Sequence, residues 1–283
     1  MNGDGNLAVF CDFENIALGV RDAKYAKFDI RRVTERLLLK GSIIAKKAYC
    51  DWERYKEFKP TMHDAAFELI EIPHTRQSGK NSADIRMVVD ALDLCYTKEH
   101  IDTFVIISGD SDFSPLVSKL RENAKAVIGV GVKSSTSDLL INNCDEFIFY
   151  DDLVADGKPA RRRPRGGRGR GKATGGVAEK SKKKPDEGAS ALSTKTQDEL
   201  GQEGIDLVLQ TAAGISAERG DRTKLWGSMV KQALKRRRPG FNESFYGFSS
   251  FNDLLEEAQA RGQLELELDD RSGGYRVVRV MEG

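Results

Sequence analysis

From Leu7 to Asp152, short apolar or β-branched runs alternate with segments of helical period. The runs at 7–11, 42–50, 69–73, 104–108, 126–132 and 146–150 predict strands; Ile30–Leu39, Tyr55–Ile70, Ser82–Tyr96, Pro115–Arg121 and Asp138–Asn142 predict helices. Such alternation implies an α/β fold class, a Rossmann-like parallel sheet with helices on both faces. Ser114 before Pro115 reads as an N-cap and first helical residue. Asp110 and Asp112 then fall in the turn between a strand and a helix, at the edge of the sheet where open α/β folds bind ligands.

The pattern stops after Asp152. Lys158–Pro185 is Arg, Lys, Gly and Pro with almost nothing to bury, so it predicts a disordered connector. Periodicity resumes near Gln197 with Ile205–Leu209, then helices over Lys224–Arg236 and Phe251–Ala260. Strands at Leu264–Leu268 and Tyr275–Val280 follow, joined by a turn at Asp269–Gly274. Three helices closed by a hairpin read as a small winged helix-turn-helix. The expected organisation is a domain at 1–157, a basic linker at 158–196 and a second domain at 197–283.

A length of 283 residues suits two domains. The longest apolar runs fall far short of the roughly 20 residues of a membrane span, and the first residues, Met-Asn-Gly-Asp-Gly, lack the features of a signal peptide. A cytoplasmic protein with no membrane partner is expected. Cys11, Cys50, Cys95 and Cys144 occur singly, without zinc-site spacing, and read as reduced core thiols. The net charge of +1 hides an asymmetry: residues 1–157 carry 20 basic and 26 acidic side chains, 158–184 carry 12 and 1, and 185–283 carry 13 and 17. Basic charge is concentrated between two mildly acidic domains.

The candidate chemistry lies where apolar strands run out. Asp12 with Asn15, Asp84, and Asp110 with Asp112 place carboxylates at converging ends. All-oxygen donors suit Mg²⁺ or Mn²⁺, like charges crowd together unfavourably without a cation, and phosphodiester hydrolysis draws on such a metal. Each acid also has a plain structural reading. Asp84 sits in a first helical turn favoured by the dipole, and Asp110 and Asp112 flank a glycine turn. Asp12 at a strand end has no capping role as obvious as these. Asp138, the nearest acid to the last strands, reads equally well as part of a helix start at Ser137.

Phe-Cys-Asp-Phe-Glu-Asn-Ile at 10–16, Lys80 to Asp84, Ser-Gly-Asp-Ser-Asp-Phe at 108–113 and Val-Gly-Val-Lys at 130–133 resemble the NYN domain of the PIN-like nuclease superfamily over about residues 6–153. The resemblance implies a PIN-like sheet and a metal-dependent endoribonuclease, with Asp12, Asp84, Asp110 and Asp112 binding one or two Mg²⁺ or Mn²⁺ ions. Asn15 would hydrogen-bond beside them, and water would be the nucleophile. Asp12-x-Glu14 with Gly109-Asp110-x-Asp112 is also faintly similar to the haloacid-dehalogenase-type phosphatases, which use an aspartyl nucleophile. Those enzymes usually carry a second Asp where this chain has Glu14, and Asn15 has no place there.

Lys80 and Lys133 are candidate phosphate contacts. Arg161, Arg162, Arg163, Arg165, Arg168 and Arg170 form a tract that resembles RGG-type RNA-binding segments, which attract single-stranded RNA through counterion release and stacking. Leu225 to Leu255 resembles the OST-HTH or LOTUS domain, a family that binds RNA or, in some members, a helicase partner. Lys231, Lys235, Arg236, Arg237 and Arg238 are its expected contacts, although cations at a helix end also satisfy the dipole. Phe245, Phe248 and Phe251 read as core. The resulting expectation is a metal-dependent endoribonuclease whose linker and winged helix recruit RNA or a partner. The alternatives are a non-catalytic RNA-binding regulator and a protein-interaction adaptor.

Overall fold

A computed structural model describes residues 5–72, 82–155, 197–219, 225–269 and 273–281. Six strands, β1 (Gly5–Asp12), β2 (Gly41–Cys50), β3 (Glu68–Glu71), β4 (Thr103–Ile107), β5 (Ala126–Gly131) and β6 (Glu146–Phe149), form an all-parallel sheet of order β3-β2-β1-β4-β5-β6. Leu7, Val9 and Cys11 of β1 and Val105 and Ile107 of β4 enter one apolar layer beneath α1 (Phe13–Asp22), α2 (Ile30–Leu38), α3 (Lys59–Asp64) and α7 (Tyr150–Ala155). Ala8, Phe10, Phe104 and Ile106 enter the other, beneath α4 (Ser82–Thr97), α5 (Ser114–Glu122) and α6 (Asp138–Asn143). Burial on both faces is why these strands read as unbroken apolar runs. The strand order reverses between β1 and β4, so a crevice opens beyond their carboxyl ends. All four cysteines are free and buried in these layers.

Three local expectations change. Helix α1 was not foreseen; it begins directly after Asp12, whose side chain caps it. The single helix expected over Tyr55–Ile70 is instead a 3₁₀ turn at Lys56–Phe58, α3 and strand β3. It ends because Ala66 adopts a left-handed φ of 58° while Phe67 N–H donates to Met62 O at 3.0 Å, a Schellman-type stop. Ser114 does not cap α5. Asp110 caps a 3₁₀ turn at Ser111–Phe113 that runs into the helix, so the helical path has started before Ser114.

Residues 197–281 build a separate core from α8 (Gln197–Arg219), α9 (Gly227–Arg237), α10 (Phe251–Ala260) and an antiparallel sheet. Its strands β7 (Leu225–Trp226), β8 (Leu264–Leu268) and β9 (Tyr275–Val280) are ordered β7-β9-β8. The expected hairpin is present, and Leu225 pairs with Val277 as a third strand, which delays the helix expected from Lys224 until Gly227. This core meets the edge of the large sheet. Phe147 N–H donates to Pro239 O at 3.0 Å, and Asn242 Nδ2 donates to Asp152 at 2.6 Å, covering the otherwise open edge of β6.

Candidate active site

Asp12 closes β1 and opens α1, two roles that fix its carboxylate at the reversal point of the sheet. Its Oδ1 accepts from Asn15 N–H at 3.3 Å and its Oδ2 from the Ser108 hydroxyl at 3.0 Å. Ser108, at the end of β4, in turn accepts from Asp110 N–H at 3.2 Å. Asn15 Oδ1 accepts from Gly109 N–H at 2.8 Å, which ties the α1 turn to the β4 loop. Gly109 must be glycine: a Cβ there would lie 2.6 Å from Ser135 O, a backbone atom, and Ser137 N–H donates to Gly109 O at 2.9 Å.

These turns surround a cleft of about 370 Å³ lined by Asp12, Glu14, Asn15, Asp51, Asp84 and Asp110, with Tyr49 and Arg54 on its wall. Asp84 arrives from the first turn of α4. Asp12 is 8% exposed, and burial, then the charge of Asp84, pushes its pKa up to about 7; the hydrogen bonds from Asn15 and Ser108 oppose the rise. Burial, then Asp110 and Asp112, also raises Asp84. The acids therefore feel one another.

The sequence-derived set divides here. Asp12, Asp84, Asp110 and Asn15 meet in the cleft. Asp112 is close enough to raise Asp84 but is itself exposed and lines a neighbouring depression with Ser111 and Pro115. Asp138 follows Ser137, whose hydroxyl caps α6 by accepting from Leu139 N–H. Glu14, Asp51 and Arg54 were not among the expected site residues. Asp51 is the first residue after β2, the same strand-end position that singled out Asp12.

The expected RNA contacts are placed differently. Lys80 and Arg161, Arg162, Arg163, Arg165, Arg168 and Arg170 lie outside the described residues. Lys133 pairs with Asp152 at 2.7 Å and stands 4.2 Å from the ring centroid of Phe245, across the boundary between the two cores. Lys231 pairs with Glu243 at 2.6 Å and Lys235 approaches Glu146 at 3.5 Å. Arg236, Arg237 and Arg238 are exposed at the end of α9. Phe248 and Phe251 are buried as expected, whereas Phe245 is 44% exposed beneath Lys133. A larger cavity, about 640 Å³, lies in the small domain beside Trp226, Lys231 and Tyr275. It contains one carboxylate, Asp269, against the five of the cleft.

All-oxygen donors at Asp12, Asp84 and Asp110, with a proton retained on Asp12 to about pH 7, suit a divalent cation that would relieve their repulsion. Among the described residues no three such side chains already stand in the geometry of a metal cage, so these acids would have to close around an ion.

The NYN domain family model matches residues 6–151, half of the chain, and spans both carboxylate-bearing turns and α4. The chain belongs to the NYN domain family. Within it, the NYN region is 26% identical over 153 residues to Meiosis regulator and mRNA stability factor 1 of Xenopus tropicalis, covering 54% of this chain and 9% of that protein. It is 25% identical over 146 residues to an uncharacterized protein of Methanocaldococcus jannaschii, covering 52% of this chain and 55% of that one. The matches thus span about half, or far less, of these relatives' lengths. A crystal structure of a protein of unknown function from Vibrio parahaemolyticus aligns at 25% identity and a TM-score of 0.48 over 54% of this chain and 97% of that one. No helix among the described residues is long and apolar enough to cross a membrane.

Proposed function

We propose that the NYN domain is a metal-dependent endoribonuclease. The observation that carries this reading is the meeting of Asp12, Asp84 and Asp110, with Asn15, in one cleft at the reversal point of the sheet. The name of the Xenopus relative, an mRNA stability factor, supports RNA as the substrate class. Asp12, Asp84 and Asp110, with Asp112 at the margin, would hold one or two Mg²⁺ or Mn²⁺ ions, which when bound supply polarisation of the phosphoryl oxygen and activation of water. The chain's own residues preorganise that step. Ser108 and Asn15 fix the Asp12 carboxylate, and the Asn15 bond to Gly109 sets the distance between the two acidic turns. No covalent enzyme intermediate is needed, because water attacks phosphorus directly.

The acidic cleft does not attract RNA by itself. The basic linker at 158–196 would bring single-stranded RNA to it, and the domain at 197–283, a LOTUS-type winged helix, would select RNA or a protein partner. Arg236, Arg237 and Arg238 are its contacts for RNA. The engagement of Lys231 and Lys235 in pairs within the chain favours a protein partner for the rest of that surface. The second reading is a regulator that binds RNA in this cleft without cutting it. Incubating the full chain with labelled single-stranded RNA in Mg²⁺, Mn²⁺ or EDTA separates the two. Internal cuts that vanish in EDTA support the nuclease, and binding with no cutting in either metal supports the regulator.

A further inference from the structure

Five carboxylates line the cleft, and Arg54 is the one cation among its described lining residues. An RNA phosphate entering this cleft needs a positive contact, and a guanidinium offers two parallel donors to a phosphate. Arg54 is placed for it. Its turn leaves β2 at Asp51, whose backbone oxygen accepts Arg54 N–H at 3.1 Å. The turn is pinned by Trp52, 1% exposed, which packs 4.9 Å from Phe13. Phe13 adjoins Glu14, and Arg54 Nη1 donates to Glu14 Oε1 at 3.1 Å. The same aromatic contact therefore brings both partners of the ion pair to the cleft wall. The pair is half-exposed, with side chains 52% and 32% accessible, so it is weak enough for phosphate to displace. Only Nη1 has a side-chain partner among the described residues, which leaves the other guanidinium donors for a ligand.

We infer that Arg54 is the phosphate-binding residue of the cleft and that Glu14 is its positioning partner rather than a metal ligand. The inference rests on the proposed RNA reading of the cleft, and its test does not depend on cutting. The affinity of the full-length Asp110→Asn chain for a short fluorescein-labelled single-stranded oligoribonucleotide is measured at raised salt, where the linker contributes least. Adding Arg54→Ala is expected to weaken binding about tenfold, Arg54→Lys to restore part of it, and Glu14→Gln to leave affinity equal or greater. In the wild-type background Arg54→Ala is expected to raise KM more than it lowers kcat. Unchanged affinity in Arg54→Ala, with an unchanged melting temperature, overturns the inference whether or not the parent cuts RNA. A loss with Glu14→Gln as large as with Arg54→Ala overturns the role given to Glu14. Failure of the wild-type chain to cut in either metal, with Arg54-dependent binding intact, contradicts the nuclease reading alone.

Discussion

Asp12 illustrates how a single residue can bear both the fold and the chemistry. It caps α1, accepts from Ser108, and stays buried beside two other acids, so in the native protein it holds its proton to about pH 7 against an ordinary 3.8. A folded-state pKa raised above the unfolded value contributes stability that is complete below about pH 4 and lost as pH rises through 7. In EDTA the chain should lose stability between about pH 4 and pH 7, by on the order of 4 kcal/mol at most. Asp12→Asn should flatten that slope while abolishing cleavage. Urea midpoints at the two pH values check this, and an equally steep slope in Asp12→Asn contradicts it. Gly109 is the other sensitive residue. Gly109→Ala drives a Cβ into Ser135 O and should cost about 1–3 kcal/mol, with cleavage falling as the Asn15 bond breaks. Thermal melts and a cleavage assay on the same preparation read both effects.

Among the elements, α3 and its stop show what a sequence pattern hides. The apolar spacing of Tyr55–Ile70 permits one helix, but Ala66 at φ 58° ends it and releases β3. Nothing in the residue type announces a left-handed alanine, because tertiary packing of Phe67 and Leu69 selects it. Ala66→Gly should remove that strain and stabilise the protein by about 0.5–1 kcal/mol, seen as a raised melting temperature with unchanged cleavage. Helix α1 was hidden for a different reason: its capping residue is Asp12, already accounted for as a strand-end acid. The strands were legible because burial on both faces writes them as apolar runs, and Asp12, Asp84 and Asp110 were legible because each ends or begins such an element. Arg54, Glu14 and Asp51 were not, since their place in the cleft depends on Trp52 meeting Phe13 across a gap of many residues. The exposure of Asp112 was equally invisible from spacing alone.

At the scale of the whole molecule, an acidic NYN domain and an acidic small domain flank a segment with 12 basic residues and one acidic. Deleting 158–184 should flatten the salt dependence of RNA affinity, measured by titration at several salt concentrations. An unchanged slope would leave the segment as a spacer. The small domain rests on the β6 edge through Pro239, Asn242 and Lys235, with Lys133 bound to Asp152 and stacked on Phe245. Glu146→Lys places like charges against Lys40 and Lys235 and should loosen that contact, read as an increased radius of gyration in solution scattering. Single-turnover cleavage of a labelled single-stranded RNA by wild type, Asp84→Asn and Asp110→Asn, each in Mn²⁺ and in EDTA, tests most directly whether the cleft is a nuclease site. Internal cutting by wild type in Mn²⁺, lost in EDTA and reduced by at least about a hundredfold in both variants, is the predicted result. Cutting that persists undiminished in Asp110→Asn would place the activity elsewhere.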